Sequence, residues 1–184
     1  MPGMTASRPR PRIYLAGPDV FLPDAAARFA ELKAACERAG LEGLEPSDGD
    51  IPADFQGTDD ERARRIYDGN IARIRQADGV LANLCDFRGL EPDSGTVFEV
   101  GFAAALGKPV AAYGVAPGSY AERVASSRPC QPDAAGVLRE QADGTMVEGL
   151  GQRLNLMLTG SAHIADSTQA GLEWLARNLM PPAH

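Results

Sequence analysis

Short apolar runs of β-forming residues alternate four times with longer segments of helical periodicity, and that alternation constrains the fold more than any other feature of the chain. The run at 12–17, Arg-Ile-Tyr-Leu-Ala-Gly, closes at Gly17-Pro18. From Pro23-Asp24 onward Phe29, Leu32, Ala35 and Cys36 recur at helical spacing, and Gly40 supplies a stop. A second short strand is expected at 41–44. A charged helix follows over 59–76, with Ile66, Tyr67, Asn70, Ile71 and Ile74 along one side. Residues 79–84 read as a buried strand, 96–106 as a helix ended by Gly107, and 109–113 as the next strand. The pattern predicts an α/β fold, a parallel sheet with helices on both faces. Such sheets bind ligands outside the carboxyl ends of their strands, so the loops beginning at Gly17, Leu84 and Tyr113 are where a site is expected.

After Gly114 the signal weakens. Residues 114–136 are rich in Pro, Gly and Ser and read as irregular. The stretch 137–147, with Asp143-Gly144 at its centre, predicts a small hairpin. Residues 147–158 and 167–179 read as helices. With no repeat and no second apolar block, 12–184 is expected to form a single domain. The Pro/Arg/Ser-rich residues 1–11 read as a flexible tail, neither signal peptide nor membrane span. The polar loop at 45–58 is either a solvated connection or an active-site loop.

Charge and composition narrow the function. Eighteen Lys and Arg against 25 Asp and Glu give a net charge of −7, which argues against a nucleic-acid binder. Only Lys33 and Lys108 are lysines, so there is no polybasic membrane patch, and Gly107-Lys108-Pro109 is not a P-loop. Cys36, Cys85 and Cys130 are odd in number and widely spaced, which suits a reduced, cytoplasmic protein. His163 and His184 are the only histidines, so no zinc site is expected. Nor is there a G-x-G-x-x-G, which counts against a nicotinamide or flavin domain. No cofactor or metal is implied.

The segment from Phe87 to Ala103 holds the sharpest chemistry. It joins a buried strand to a helix N-terminus and carries Asp93 and Glu99 six residues apart. Glu99 is expected in the first helical turn, where partial positive charge would keep it ionised. An ionised carboxylate beside a proton donor is what glycosyl transfer needs. A purely structural role competes, because Thr96-x-x-Glu99 has the form of a capping box. Asp93-Ser94-Gly95-Thr96 imitates an aspartic-protease tripeptide, but that motif belongs in an all-β fold. Elsewhere, Tyr14 also suits a core position and Asn70 could cap a neighbouring loop. Phe21 could stack on a base or pin its loop to the first helix. Arg88 could be a surface ion-pair partner, and His163 and Cys85 read as structural.

These residues together resemble the nucleoside 2-deoxyribosyltransferase family. The likeness runs through Ile13-Tyr14-Leu15-Ala16-Gly17-Pro18 with Phe21, then Asn70, Ile74, Ala77 and Asp78, then Phe87-Arg88-Gly89. It continues through Asp93-x-Gly95-Thr96-x-Phe98-Glu99-x-Gly101, Gly107-Lys108-Pro109 and Asn155-Leu156-Met157. The resemblance implies a flavodoxin-like (Rossmann-type) fold and cleavage of the N-glycosidic bond of 2′-deoxynucleosides, with 2-deoxyribose passed to an acceptor nucleobase. It implies Glu99 as nucleophile, Asp93 as a carboxylate that holds the substrate, and Tyr14 as a hydroxyl that orients the nucleophile. Gly17, Phe21, Asn70 and Arg88 would then bind substrate. Asn70 stands where some members carry an acid that protonates the base, and an amide cannot do this. Protonation would fall to Asp93, another acid or water. The family's oligomers imply a homo-oligomer in which Asn155 reaches a neighbour's site. Two rivals remain at this point: an N-glycoside hydrolase of deoxynucleosides or their 5′-monophosphates, and a nucleotide-sensing module without catalysis.

Overall fold

The computed structural model describes residues 9–49, 51, 52 and 54–180, so the expected tail lies outside the described residues but for its last three positions. The elements are β1 (Arg12–Ala16), α1 (Ala25–Arg38), β2 (Glu42–Leu44), α2 (Asp59–Gln76), β3 (Gly79–Asn83), α3 (Ser94–Ala105) and β4 (Val110–Tyr113). They continue with α4 (Tyr120–Ser127), β5 (Cys130–Pro132), β6 (Leu138–Glu140), α5 (Leu156–Ser161), β7 (His163–Ile164) and α6 (Thr168–Leu179). Five parallel strands form one sheet in the order β2-β1-β3-β4-β7, the flavodoxin-like order, in a single domain.

Period-two side chains divide the core between the two faces. Ile13, Leu15, Leu81 and Ala111 pack with Phe29 and Leu32 of α1 and Leu172 and Leu175 of α6. Tyr14, Ala16, Val80 and Ala82 pack on the other face with Ile74 of α2 and Val100 and Ala103 of α3. Burying each large aliphatic side chain of this kind contributes about 1.5–3 kcal/mol. The order reverses between β1 and β3, so the loops leaving their carboxyl ends part and open a crevice. Tyr14 lies on the α3 side of that switch point.

Several expectations require correction. Helix α3 starts at Ser94, with Asp93 as its N-cap: the Thr96 amide donates to Asp93 Oδ2 at 2.9 Å and the Thr96 hydroxyl at 3.0 Å. Thr96 is therefore not the cap, Glu99 falls in the second turn, and the expected capping box does not form. The helix expected over 147–158 is confined to Leu156–Ser161. Gly149 and Gly151 break its start, Gly151 at a φ of 71° that favours glycine. The extended chain before it is held by Arg153, whose guanidinium donates to the Val115 and Ala116 carbonyls. The irregular stretch 114–136 contains α4, announced by a Ser119–Glu122 capping box. The hairpin at 137–147 is present as β6 with an Arg139–Met146 bridge, and β6 also pairs with β5. Among the described residues no helix is long and apolar enough to cross a membrane.

Candidate active site

A cavity of about 420 Å³ opens at the switch point, a size suited to a small organic ligand. Gly17 borders it from the β1 loop, Phe21 from the short 3-10 turn that follows, Asn70 from α2, and Asp93 and Glu99 from the N-terminal part of α3. Five residues singled out in the sequence thus meet around one space.

Tyr14 touches the site from below. It is fully buried, and its hydroxyl donates to Glu99 Oε1 at 2.5 Å. Burial raises the phenol's pKa far above its ordinary value, and the adjacent Glu99 charge adds to this. Tyr14 therefore stays protonated and remains a donor. Burial also pushes Glu99 up, to about 7; the Tyr14 hydrogen bond pulls down and the Asp93 charge pushes up. The expectation that the helix dipole keeps Glu99 firmly ionised is thus corrected: removal from water dominates, and the dipole weakens beyond the first turn.

Asn70 does cap a neighbouring loop, since its Oδ1 accepts the Ser47 amide at 2.6 Å, and it also lines the cavity. Phe21 does not pin its loop to α1. It is 60 % exposed and stacks on Phe87, ring centroids 5.6 Å apart. The Arg88 guanidinium lies over Phe87 at 4.7 Å and Phe21 at 5.8 Å, and Arg88 has a positive φ of 55°. Arg88 therefore covers the aromatic pair at the mouth and does not line the cavity. Asn155 is not brought to this cavity within one chain. It N-caps α5 through Met157 N at 3.0 Å and donates to Glu148 Oε2 at 3.0 Å.

Two features were missed in the sequence. Ser47 and Asp48 line the cavity from the 45–58 loop, whose polar composition could not separate a site from a plain connection. The second is a buried support. Asp19 accepts from Arg28 Nε at 3.2 Å and Asn83 Nδ2 at 2.9 Å, tying the 3-10 turn to α1 and to the end of β3. A Cβ on Gly17 would lie 2.5 Å from Asp19 Oδ2, so this close approach requires glycine. Among the described residues no cluster of three or more His, Cys, Asp or Glu side chains is placed to hold a metal ion.

The site thus combines a carboxyl whose pKa is pushed up to about 7, a protonated phenol buried beneath it and bonded to it, two further carboxyl side chains in the lining and an aromatic mouth. That set can deliver an anionic oxygen to an electrophilic carbon while holding a flat ring nearby. Comparison with known proteins identifies the family. Residues 13–157 match the family model for nucleoside 2-deoxyribosyltransferases. The chain belongs to the nucleoside 2-deoxyribosyltransferase family. An uncharacterized protein of Schizosaccharomyces pombe is 33 % identical over 160 residues, 82 % of this chain and 76 % of that protein. A solved 2-desoxiribosyltransferase from Leishmania mexicana is 34 % identical with a TM-score of 0.70, covering 92 % of this chain and 98 % of that one. A 2-deoxyribosyltransferase from Bacillus psychrosaccharolyticus, 21 % identical with a TM-score of 0.53 over 85 % and 87 % of the two chains, shares the fold. The segment matched to the family contains Tyr14, Gly17, Phe21, Asn70, Arg88, Asp93, Glu99 and Asn155.

Proposed function

We propose that the chain transfers 2-deoxyribose between nucleobases through an ester on Glu99. The observation that carries this reading is the Tyr14–Glu99 pair at the floor of the switch-point cavity, with Asp93 on the same helix. Tyr14 holds Oε1 and leaves Oε2 to approach C1′ of a bound deoxynucleoside. As the C1′–N bond breaks, its electron pair leaves with the base and positive charge builds at C1′. Lacking an electron-withdrawing 2′-hydroxyl, deoxyribose tolerates that charge. Glu99 stabilises it and closes on C1′. A nitrogen of the acceptor base then attacks C1′, the C1′–O bond breaks with its electron pair returning to Glu99 as carboxylate, the acceptor's N–H proton passes to water, and two inversions restore the configuration.

Asp93 would hold the sugar hydroxyls, and Phe21, backed by Phe87 and Arg88, would cover the base. Asn70 can donate a hydrogen bond to the leaving base but no proton, so the proton comes from Asp93, another acid or water. The described lining holds three carboxylates and no Lys or Arg, which favours a nucleoside over a 5′-phosphate. The proposed assembly is a homo-oligomer in which Asn155 serves a neighbour's cavity.

Chromatography of 2′-deoxyadenosine incubated with a second base tests the reading. A new deoxynucleoside should form, Glu99→Ala should form none, and intact mass without acceptor should reveal a deoxyribosyl adduct. Equal rates on ribonucleosides, or normal turnover by Glu99→Ala, would reject it. Release of base and free deoxyribose with no exchange product would assign water as the acceptor.

A further inference from the structure

The ladder between β1 and β3 ends at the Ala16–Ala82 pair, and beyond it the two loops part at the switch point. One side-chain bond spans the gap. Asn83, the last residue of β3, donates through Nδ2 to Asp19 Oδ2 at 2.9 Å. Its Oδ1 accepts the Cys85 amide at 3.3 Å, which fixes the NH2 half toward Asp19. Asp19 is buried, and its Oδ1 accepts from Arg28 Nε at 3.2 Å. Two donors on different elements thus converge on one carboxylate. The flanking backbone makes room for the cluster on both sides. A Cβ on Gly17 would lie 2.9 Å from Asn83 Cβ, and one on Gly114 would collide with Asn83 Oδ1.

A buried carboxylate is a poor way to fasten two loops for stability alone, since an apolar contact of similar volume holds as well without desolvating a charge. Directed hydrogen bonds fix position as well as contact. What they position here is the aromatic mouth. Phe21 follows Asp19 by two residues in the same 3-10 turn, and Phe87 follows Asn83 by four. The two rings stack with centroids 5.6 Å apart, and the Arg88 guanidinium lies over both. Each ring is therefore carried by one partner of the Asp19–Asn83 bond, while neither partner is in the described lining of the cavity.

We propose that Asp19 and Asn83 are positioning residues, whose hydrogen bond sets Phe21 against Phe87 and thereby the grip of the mouth on a flat substrate ring. The consequence for turnover rests on the deoxyribosyl-transfer reading. The consequence for the rings does not.

Reversing the bond tests the assignment. Asn83→Asp sets two carboxylates face to face, and Asp19→Asn sets two NH2 groups face to face. In the double variant the amide at 19 accepts from Arg28 and donates to the carboxylate at 83, which still accepts the Cys85 amide. NMR should show a Phe21–Phe87 ring contact in the wild type, its loss in each single variant and its return in the double one. KM for 2′-deoxyadenosine should rise about tenfold in each single variant, the scale of one base–ring stack, with kcat changed by less than about threefold, and should recover in the double variant. The acid limb of the pH profile should stay in place, because Glu99 is not touched. Phe21→Ala should cancel any further effect of Asn83→Asp on KM, since the bond acts through that ring. Asn83→Ser, too short to reach Asp19, serves where Asn83→Asp fails to fold. Rings that stay in contact in both single variants, a double variant no better than its parents, or an Asn83→Asp effect that persists beside Phe21→Ala would overturn the proposal. If 2′-deoxyadenosine is not cleaved, the transfer reading fails, and the ring contacts by themselves uphold or overturn the positioning role.

Discussion

Glu99 shows at the level of one residue how burial and reactivity conflict. With its pKa pushed up to about 7, a fraction of the molecules hold this proposed nucleophile protonated at neutral pH. kcat/KM should therefore fall on the acid side of about pH 7. Tyr14→Phe removes the bond that pulls Glu99 down, so that acid limb should move to higher pH. The same titration reaches stability. A carboxyl whose pKa rises on folding, from 4.5 to about 7, binds its proton more tightly in the native state. Its contribution is complete below about pH 4.5 and is lost as pH rises through about 7. Glu99→Gln keeps an acceptor for Tyr14 and has no such loss. Urea unfolding should give equal stabilities at about pH 4.5 and a Gln variant more stable by up to about 3 kcal/mol at about pH 8. No difference at the higher pH would mean that the buried charge is not destabilising.

At the scale of the element, α3 carries two roles in one residue. Asp93 caps the helix with Oδ2 and raises the Glu99 pKa with its charge. Asparagine caps about as well as aspartate, whereas alanine costs about 1 kcal/mol. Asp93→Asn should therefore unfold close to wild type, while its kcat falls and its acid limb moves to lower pH as the repulsion disappears. Asp93→Ala should lose both activity and about 1 kcal/mol. Full activity in Asp93→Asn would reduce Asp93 to a cap. Elements with strong periodicity were legible in the sequence: β1, α1, α2, β3, α3, β4 and α6. Helix α4 was missed although its Ser119–Glu122 box is written in the chain, because surrounding Pro and Gly masked eight helical residues. The two residues of β7 were missed because so short a strand exists through its pairing with β4.

The whole molecule leaves an uneven surface around α5. Leu154 and Leu158 are buried in the chain's own core, whereas Leu150, Leu156 and Met157 are 62 %, 45 % and 69 % exposed. The first pair accounts for part of this Leu-rich segment without any partner. The second set is what the proposed homo-oligomer would cover, with Asn155 between them. Mixing Glu99→Ala with Asn155→Ala and allowing subunits to exchange should restore roughly a quarter of the sites if Asn155 acts across the interface. Activity no higher than that of the separate variants, or a monomer by sedimentation, would reject the assembly.

The alternation of apolar runs and helical periods determined the doubly wound architecture, because a parallel sheet buried on both faces leaves few other ways to hide such strands. The crevice loops followed from it, and with them the neighbourhood of Gly17 and Asp93. What the linear order could not decide was the partner of each side chain. Thr96-x-x-Glu99 reads as a capping box in one dimension, and only the start of α3 at Ser94 turned Glu99 away from the cap and onto Tyr14, 85 residues earlier in the chain. Asp48 became a cavity residue because Gly69 and Asn70 receive the loop that bears it. Local periodicity is set by neighbours a few residues away, whereas a site is set by contacts between distant segments, and those exist once the sheet has brought its strand ends together.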